Sequence, residues 1–389
     1  MIPLTALLCA QSLYVERFEL PVAMPEWNTG AFDTHGGTYL YSQSEAAGRF
    51  GAGIVFTKTD AGTGGFITPT FLGHDFMPPR LGNAYVRYWI RYRHRSGPPY
   101  LWPVQIHNVN PFGTVAELIV GPAPDGGDHL VLQGSGAGGF TMGPNLPIWP
   151  DAWHLLQLEL EGLGTDAGRL VGALDGRLIG ALPFDWTGAR LSRYLLGFGA
   201  VHDRWLGEIA IDDLVTLTER RAAFAQLTAP QRADVGRCTP ASLTFHDLDG
   251  GLLAPPDFSP IYLRSDAGVQ FFRDGACSAA WNDGLLVATA QQAIAFRPVV
   301  AGPQPLTVLS PDLIGDEALI IAVDAGPTDA GLEPADAGAP DAGLSPDAGS
   351  PPTLRDYGVG CGCTASPALA VLISLAVLRV TARRRRTSR

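Results

Sequence analysis

Residues 169–182 read RLVGALDGRLIGAL, two apolar segments of similar length joined at Asp175-Gly176. Asp-Gly readily supplies the two positive-φ residues of a type I′ turn, so this stretch predicts a β-hairpin. Upstream, AWHLLQLELEG (152–162) puts His154, Leu156, Leu158 and Leu160 on one strand face, with Trp153, Leu155, Gln157 and Glu159 on the other. AYVRYWIRYRHR (84–95) alternates Val86, Tyr88, Ile90 and Tyr92 with Arg87, Trp89, Arg91 and Arg93. One face of that strand suits a core and the other presents cations. Downstream, YLLGFGA (194–200) and GEIAIDDLVTL (207–217) read as two closing strands. In the last of these Asp213 breaks the alternation and requires a partner.

The rest of the chain agrees with an all-β class. Of 389 residues, 47 are Gly and 32 are Pro, while only 4 are Met, a composition for short turn-bounded strands rather than a helical bundle. The net charge is −11. The segment from Asp324 to Asp356 and the arginine-rich end after it cancel, so residues 1–323 carry all of it. An acidic globular part repels phosphate backbones, which argues against nucleic acid as a partner.

The order of these segments resembles the concanavalin A-like and laminin-G-like jelly-roll families: a Trp-led strand, an Asp-Gly hairpin, a Leu-Gly strand and a final Gly-x-Ile-x-Ile-Asp-Asp strand. LYVERFELPVAMPEW (13–27) looks like the usual opening strand. The resemblance spans residues 13–218 and implies a jelly-roll β-sandwich with a lectin-like, carbohydrate-binding or adhesive role. Arg87, Trp89 and Arg91 would then hold a glycan, the indole stacking on a sugar and the guanidinium groups pairing with carboxylates. The alternative for this stripe is pairing with Glu159 or Glu161 on the solvated side of a sandwich.

Glucanases of this fold carry Glu-x-Asp-x-x-Glu on one strand, a spacing absent from ELEGLGTD and GEIAIDD. A second enzymatic reading comes from Gln105-Ile106-His107, which looks like the Gln-Ile-His motif of jelly-roll alginate lyases. There the Gln helps neutralise a uronate carboxylate and the His takes the C5 proton, and Arg87 or Arg91 would assist. The accompanying Arg-x-Glu-Leu-Arg and Tyr-x-Lys-x-Gly-x-Tyr strands are not present. Asp212 and Asp213 are candidate calcium ligands, as in some laminin-G-like domains, although two carboxylates fall short of the six to eight ligands that calcium takes. No histidine spacing fits zinc, and GSGAGG (134–139) lacks the lysine and helix of a phosphate loop.

Residues 219–237 lack strand alternation and read as a linker, followed at 238–323 by six or seven short strands that suggest a smaller sandwich. Phe272-Arg273-Asp274-Gly275-Ala276-Cys277 resembles a turn of bacterial immunoglobulin-like repeats, which implies a spacer. Cys238 and Cys277 either pair in an exported chain or remain separate buried thiols. Residues 324–356 repeat Asp-Ala-Gly five times without an apolar face, the composition of a disordered stalk.

Residues 357–389 combine Gly-Cys-Gly-Cys, a short apolar run from Pro367 to Leu378 and an arginine cluster. This tail resembles the MYXO-CTERM sorting tails of myxobacterial surface proteins. The resemblance implies a tail that first spans the membrane with its C-terminus cytoplasmic, a sorting protease as partner, processing at Cys361 or Cys363, and display at the cell surface. Residues 1–12 lack the basic start of a secretory signal and read either as a truncated signal peptide or as a first strand.

Overall fold

A computed structural model describes residues 12–324, apart from 19–26, 31–38, 45–47, 61–65, 68–69, 98–99, 110–111, 123–125, 137–138, 203 and 267. Residues 1–11 and 325–389, on which the signal-peptide, stalk and sorting-tail readings with Cys361 and Cys363 fall, lie outside the described residues. Every regular element among the described residues is a β-strand.

Sixteen strands build the first sandwich. In chain order they are β1 (Ser12–Glu16), β2 (Trp27–Gly30), β3 (Tyr39–Ser44), β4 (Gly53–Lys58), β5 (Phe66–Ile67) and β6 (Thr70–Arg80). Then come β7 (Gly82–Ser96), β8 (Leu101–Val109), β9 (Phe112–Pro122), β10 (Asp128–Gly136) and β11 (Gly139–Pro147). The set closes with β12 (His154–Leu163), β13 (Gly168–Leu174), β14 (Arg177–Phe184), β15 (Leu191–His202) and β16 (Leu206–Leu217). They form a jelly roll of two eight-stranded sheets. One has the order β14-β13-β12-β7-β16-β4-β3 with β1 also on β16, and the other the order β11-β10-β9-β8-β15-β6-β2 with β5 also on β15.

The alternation in the sequence sets which side chains enter the core. Val86, Tyr88, Ile90 and Tyr92 of β7 and Leu156, Leu158 and Leu160 of β12 face Val104 and Ile106 of β8, Leu118 of β9 and Leu132 of β10, all within one buried cluster. The Asp-Gly hairpin joins β13 to β14, with φ of 49° at Asp175 and 73° at Gly176, the two left-handed residues that a type I′ turn needs.

Nine further strands form a smaller sandwich: β17 (Phe224–Thr228), β18 (Arg232–Asp234), β19 (Thr239–His246), β20 (Pro260–Arg264), β21 (Val269–Phe272), β22 (Leu285–Leu286), β23 (Gln291–Pro298), β24 (Gly302–Leu309) and β25 (Glu317–Val323). A four-stranded sheet, β17-β19-β23-β21, faces a five-stranded one, β18-β25-β24-β20-β22. Leu243, Phe245, Ile261, Ile294, Phe296, Leu306 and Val308 fill the space between them. Cys238 and Cys277 form a disulfide with Cα atoms 5.8 Å apart.

Two expectations are corrected here. Residues 219–237 are not a linker, since β17 and β18 are strands of the smaller sandwich. Ala225 and Leu227 turn into its core, while β18 runs parallel to β25. The strands are three to five residues long and flank Pro230, so their alternation is too brief to stand out in the sequence.

The half of the cationic face of β7 at Arg87 and Trp89 is also not solvated, while Arg91 is half-buried and Arg93 exposed. The smaller sandwich lies on that half, leaving Arg87 and Trp89 each 4% exposed. Arg87 donates through Nη2 to the Arg221 carbonyl at 2.6 Å, and Trp89 Nε1 donates to the Pro311 carbonyl at 2.5 Å. Arg220 ties the two sandwiches, reaching Glu159 at 2.6 Å on one side and Asp249 at 2.8 Å on the other.

Candidate functional site

The polar face of the second sheet gathers the residues best suited to chemistry. Along β8, Val104 and Ile106 point into the core, so Gln105 and His107 point the other way. Strand register extends each into a row. Gln133 of β10, Glu117 of β9, Gln105 of β8 and Leu195 of β15 stand opposite one another in sequence across four strands. Next to them run Thr114 of β9, His107 of β8, Arg193 of β15 and Asp75 of β6.

Glu117 is the centre of the first row. It is 5% exposed, and its carboxylate accepts hydrogen bonds from Gln105 Nε2 at 2.7 Å and Gln133 Nε2 at 2.6 Å. Burial raises its pKa, while hydrogen bonds from Gln105 and Trp102 act against that. Each glutamine uses one N–H here, which orients its amide across the sheet and leaves a second donor and an acceptor on each planar group.

In the second row, Arg193 makes a bidentate pair with Asp75, of which the Nη2–Oδ2 distance is 2.7 Å. The hydrogen bond from Arg193 holds Asp75 below the usual carboxylate range. His107 stands opposite Arg193 and is pushed down to about 4, first by burial and then by the neighbouring guanidinium. It is therefore a neutral imidazole at neutral pH.

The structure thus brings Gln105 and His107 together but separates both from Arg87, Trp89 and Arg91. Arg87 and Trp89 are covered by the smaller sandwich, and Arg91 lies over the Trp153 ring at 4.9 Å on the other sheet. The glycan assignment for Arg87 and Trp89 is therefore corrected. No tyrosine stands in either row among the described residues.

Sequence reasoning missed Glu117, Gln133, Arg193 and Asp75. The signal for Arg193 was its alternation with the apolar residues of LSRYLLG, one residue ahead of the segment that read as a strand.

Asp212 and Asp213 are occupied by protein groups. Asp212 accepts the backbone N–H of Arg49 at 2.7 Å and of Asp213 at 2.9 Å. Asp213, in the left-handed region at φ 49° where β16 bulges against β7, pairs with Arg17 at 3.1 Å. Burial and the adjacent Asp212 raise the Asp213 pKa, and Arg17 opposes this. The Arg17 guanidinium thus lies against one of the two calcium candidates, and the described residues hold no group of three or more His, Cys, Asp or Glu side chains arranged for a metal.

No family model matches the chain, and no curated protein matches it significantly. Among solved structures, the endo-β-1,4-glucuronan lyase of the fungus Trichoderma reesei is 9% identical, with a TM-score of 0.39 over 54% of this chain and 96% of its own. The cellulose-induced protein Cip1 is 17% identical, with a TM-score of 0.38 over 53% and 98% of the two chains. Alginate lyase AlyC3 is 11% identical, with a TM-score of 0.32 over 42% and 74%. At these scores the likeness is partial and speaks to neither substrate nor chemistry.

Proposed function

We propose that the protein binds a glycan on the polar face of its second jelly-roll sheet and that the smaller sandwich serves as a spacer. The observation that carries this reading is the Gln133–Glu117–Gln105 row. A buried carboxylate fixes two amides in one orientation, and fixed planar donor–acceptor groups beside an Arg–Asp pair match the vicinal hydroxyls of a sugar. Because the amides are held before a ligand arrives, little side-chain entropy is lost on binding.

The strand order β17-β19-β23-β21 against β18-β25-β24-β20, with β22 added at the edge, supports reading the smaller sandwich as an immunoglobulin-type module. Surface display is part of this proposal, and what supports it is the composition of residues 324–356 and the resemblance of the tail with Cys361 or Cys363 to sorting tails.

Affinity electrophoresis through gels containing alginate, polygalacturonate, xylan or laminarin tests the binding reading. Retardation by at least one polysaccharide is expected, falling about tenfold in affinity in Gln105→Ala and Arg193→Ala. No retardation on any gel, or variants retarded like the parent, would overturn it.

One observation favours a second reading. Gln105, His107 and Arg193 share a face, with the imidazole neutral as a proton-abstracting base requires. A polyuronate lyase would release unsaturated products from alginate or polygalacturonate, seen as rising ultraviolet absorbance, and His107→Ala would abolish that rise. A flat trace with the parent protein excludes catalysis on these polymers.

A further inference from the structure

Residues 148–154, IWPDAWH, lead from β11 of one jelly-roll sheet to β12 of the other. Trp149 in this loop is 57% exposed, far more than any other described tryptophan. It adds little to the core, yet the backbone around it is fixed at every step. Ile148 N donates to the Asp128 carbonyl at 3.0 Å, and Asp151 N donates to the Tyr92 carbonyl at 2.8 Å. The Trp149 carbonyl accepts from His154 Nε2 at 2.9 Å, and His154 Nδ1 is held from behind by Asp175 at 2.6 Å. Arg93 Nε grips the Asp151 carboxylate at 2.6 Å.

Asp151 has φ 66°, the left-handed conformation that Asp tolerates better than most non-glycine residues and that turns the chain sharply here. The loop anchors Ile148 and His154 in the sandwich, and as a consequence its largest side chain stands in water on a fixed backbone. An indole on a preset backbone presents a broad apolar face with little conformational entropy left to lose. The same loop holds cations: Arg91 lies over the half-buried Trp153 at 4.9 Å, and Arg93 is bound to Asp151. An apolar ring on a loop that also holds guanidinium donors suits a pyranose, which has a C–H face to stack and hydroxyls at its rim.

We propose that Trp149 is a sugar-stacking contact for a pyranose ring of a polysaccharide, separate from the polar face of the second sheet. It stands on different residues from the Gln105–Glu117–Gln133 row and does not depend on them.

The test uses protein labelled with fluorotryptophan, with the Trp149 resonance assigned from Trp149→Phe. Alginate, polygalacturonate, xylan and laminarin are added in turn, to the parent and to Arg193→Ala. The Trp149 resonance is expected to shift or broaden with at least one polysaccharide in both proteins. Trp149→Ala is expected to weaken binding of that polysaccharide about tenfold in affinity gels while melting like the parent. A Trp149 resonance unmoved by all four polymers, or Trp149→Ala binding like the parent, overturns the proposal. A shift that persists in Arg193→Ala separates this contact from the polar face, and one that disappears there shows that Trp149 is no independent site.

Discussion

Arg17 reaches from the end of β1 in the jelly roll onto Asp312 of the smaller sandwich, with Nη1 and Nη2 at 2.5 and 2.7 Å from the two carboxylate oxygens. The Asp312 side chain is fully buried and also accepts from Ser259 Oγ, while Arg17 Nη1 holds Asp213 as well. One guanidinium thus stands between two buried carboxylates of different sandwiches. Removing one partner of a buried ion pair leaves an uncompensated charge, which costs about 3–5 kcal/mol, whereas the pair itself adds little. Arg17→Ala is therefore expected to destabilise the protein by about 3 kcal/mol. It should also divide a single calorimetric transition into two, one per sandwich. A single transition at the parent's temperature would show that Arg17 does not couple them.

His154 gives the protein a pH dependence. Its two ring nitrogens face acceptors, Asp175 Oδ2 and the Trp149 carbonyl, so the doubly protonated ring fits the site. Burial lowers the pKa, but the bond to Asp175, its charge and the Trp149 carbonyl outweigh burial, and the net shift is upward. A group whose folded pKa lies above its unfolded one stabilises fully below the unfolded value, about 6.5 for histidine. That stabilisation is lost as pH rises through the folded pKa. Melting temperature is thus expected to fall from about pH 6 upward in the parent, and less so in His154→Gln. Parallel curves for the two proteins would remove the imidazolium from the account.

How far the sequence spoke depended on whether a contact was local. The alternation of Val86, Tyr88, Ile90 and Tyr92 located the core face of β7, because period-two patterning is a property of one strand. The same pattern leaves the opposite face undetermined. Arg87 and Trp89 read alike whether water or another domain covers them, and what covers them are two loops, at Ala222 and at Pro311, each more than 130 residues away. Gln105 and His107 were visible as an i, i+2 pair. Glu117, Gln133 and Arg193 come from three other strands and become their neighbours only through the register of the sheet. Asp175-Gly176 is the opposite case, since a turn is written in adjacent residues.

Gln157 lies on the covered face of β12, opposite Arg87 and Ala173, and is 2% exposed. Neither its Oε1 nor its Nε2 meets a hydrogen-bond partner among the described residues. A buried amide without partners costs about 1–3 kcal/mol, which an apolar side chain of similar shape avoids. Gln157→Met is expected to raise stability by about 1 kcal/mol in urea unfolding. A loss of similar size would mean that the amide is satisfied in solution.

Gly176 closes the β13–β14 hairpin against Phe224, the first residue of the smaller sandwich's opening strand. A Cβ at this position would lie 1.9 Å from Phe224 Cε1 and 3.0 Å from Ile314 Cδ1, and the backbone is at φ +73°. Alanine there meets two penalties of separate origin. The left-handed conformation costs about 1–2 kcal/mol, and forcing a methyl group into a packed contact costs about 1–3 kcal/mol more. The second arises between the sandwiches and the first within the hairpin, so they are separable. Gly176→Ala is expected to lose about 3 kcal/mol in denaturant unfolding, and Phe224→Ala in the same chain should restore part of that by removing the clash. If the double variant is less stable than the sum of the two single losses, the contact at Gly176 is not the source of the cost.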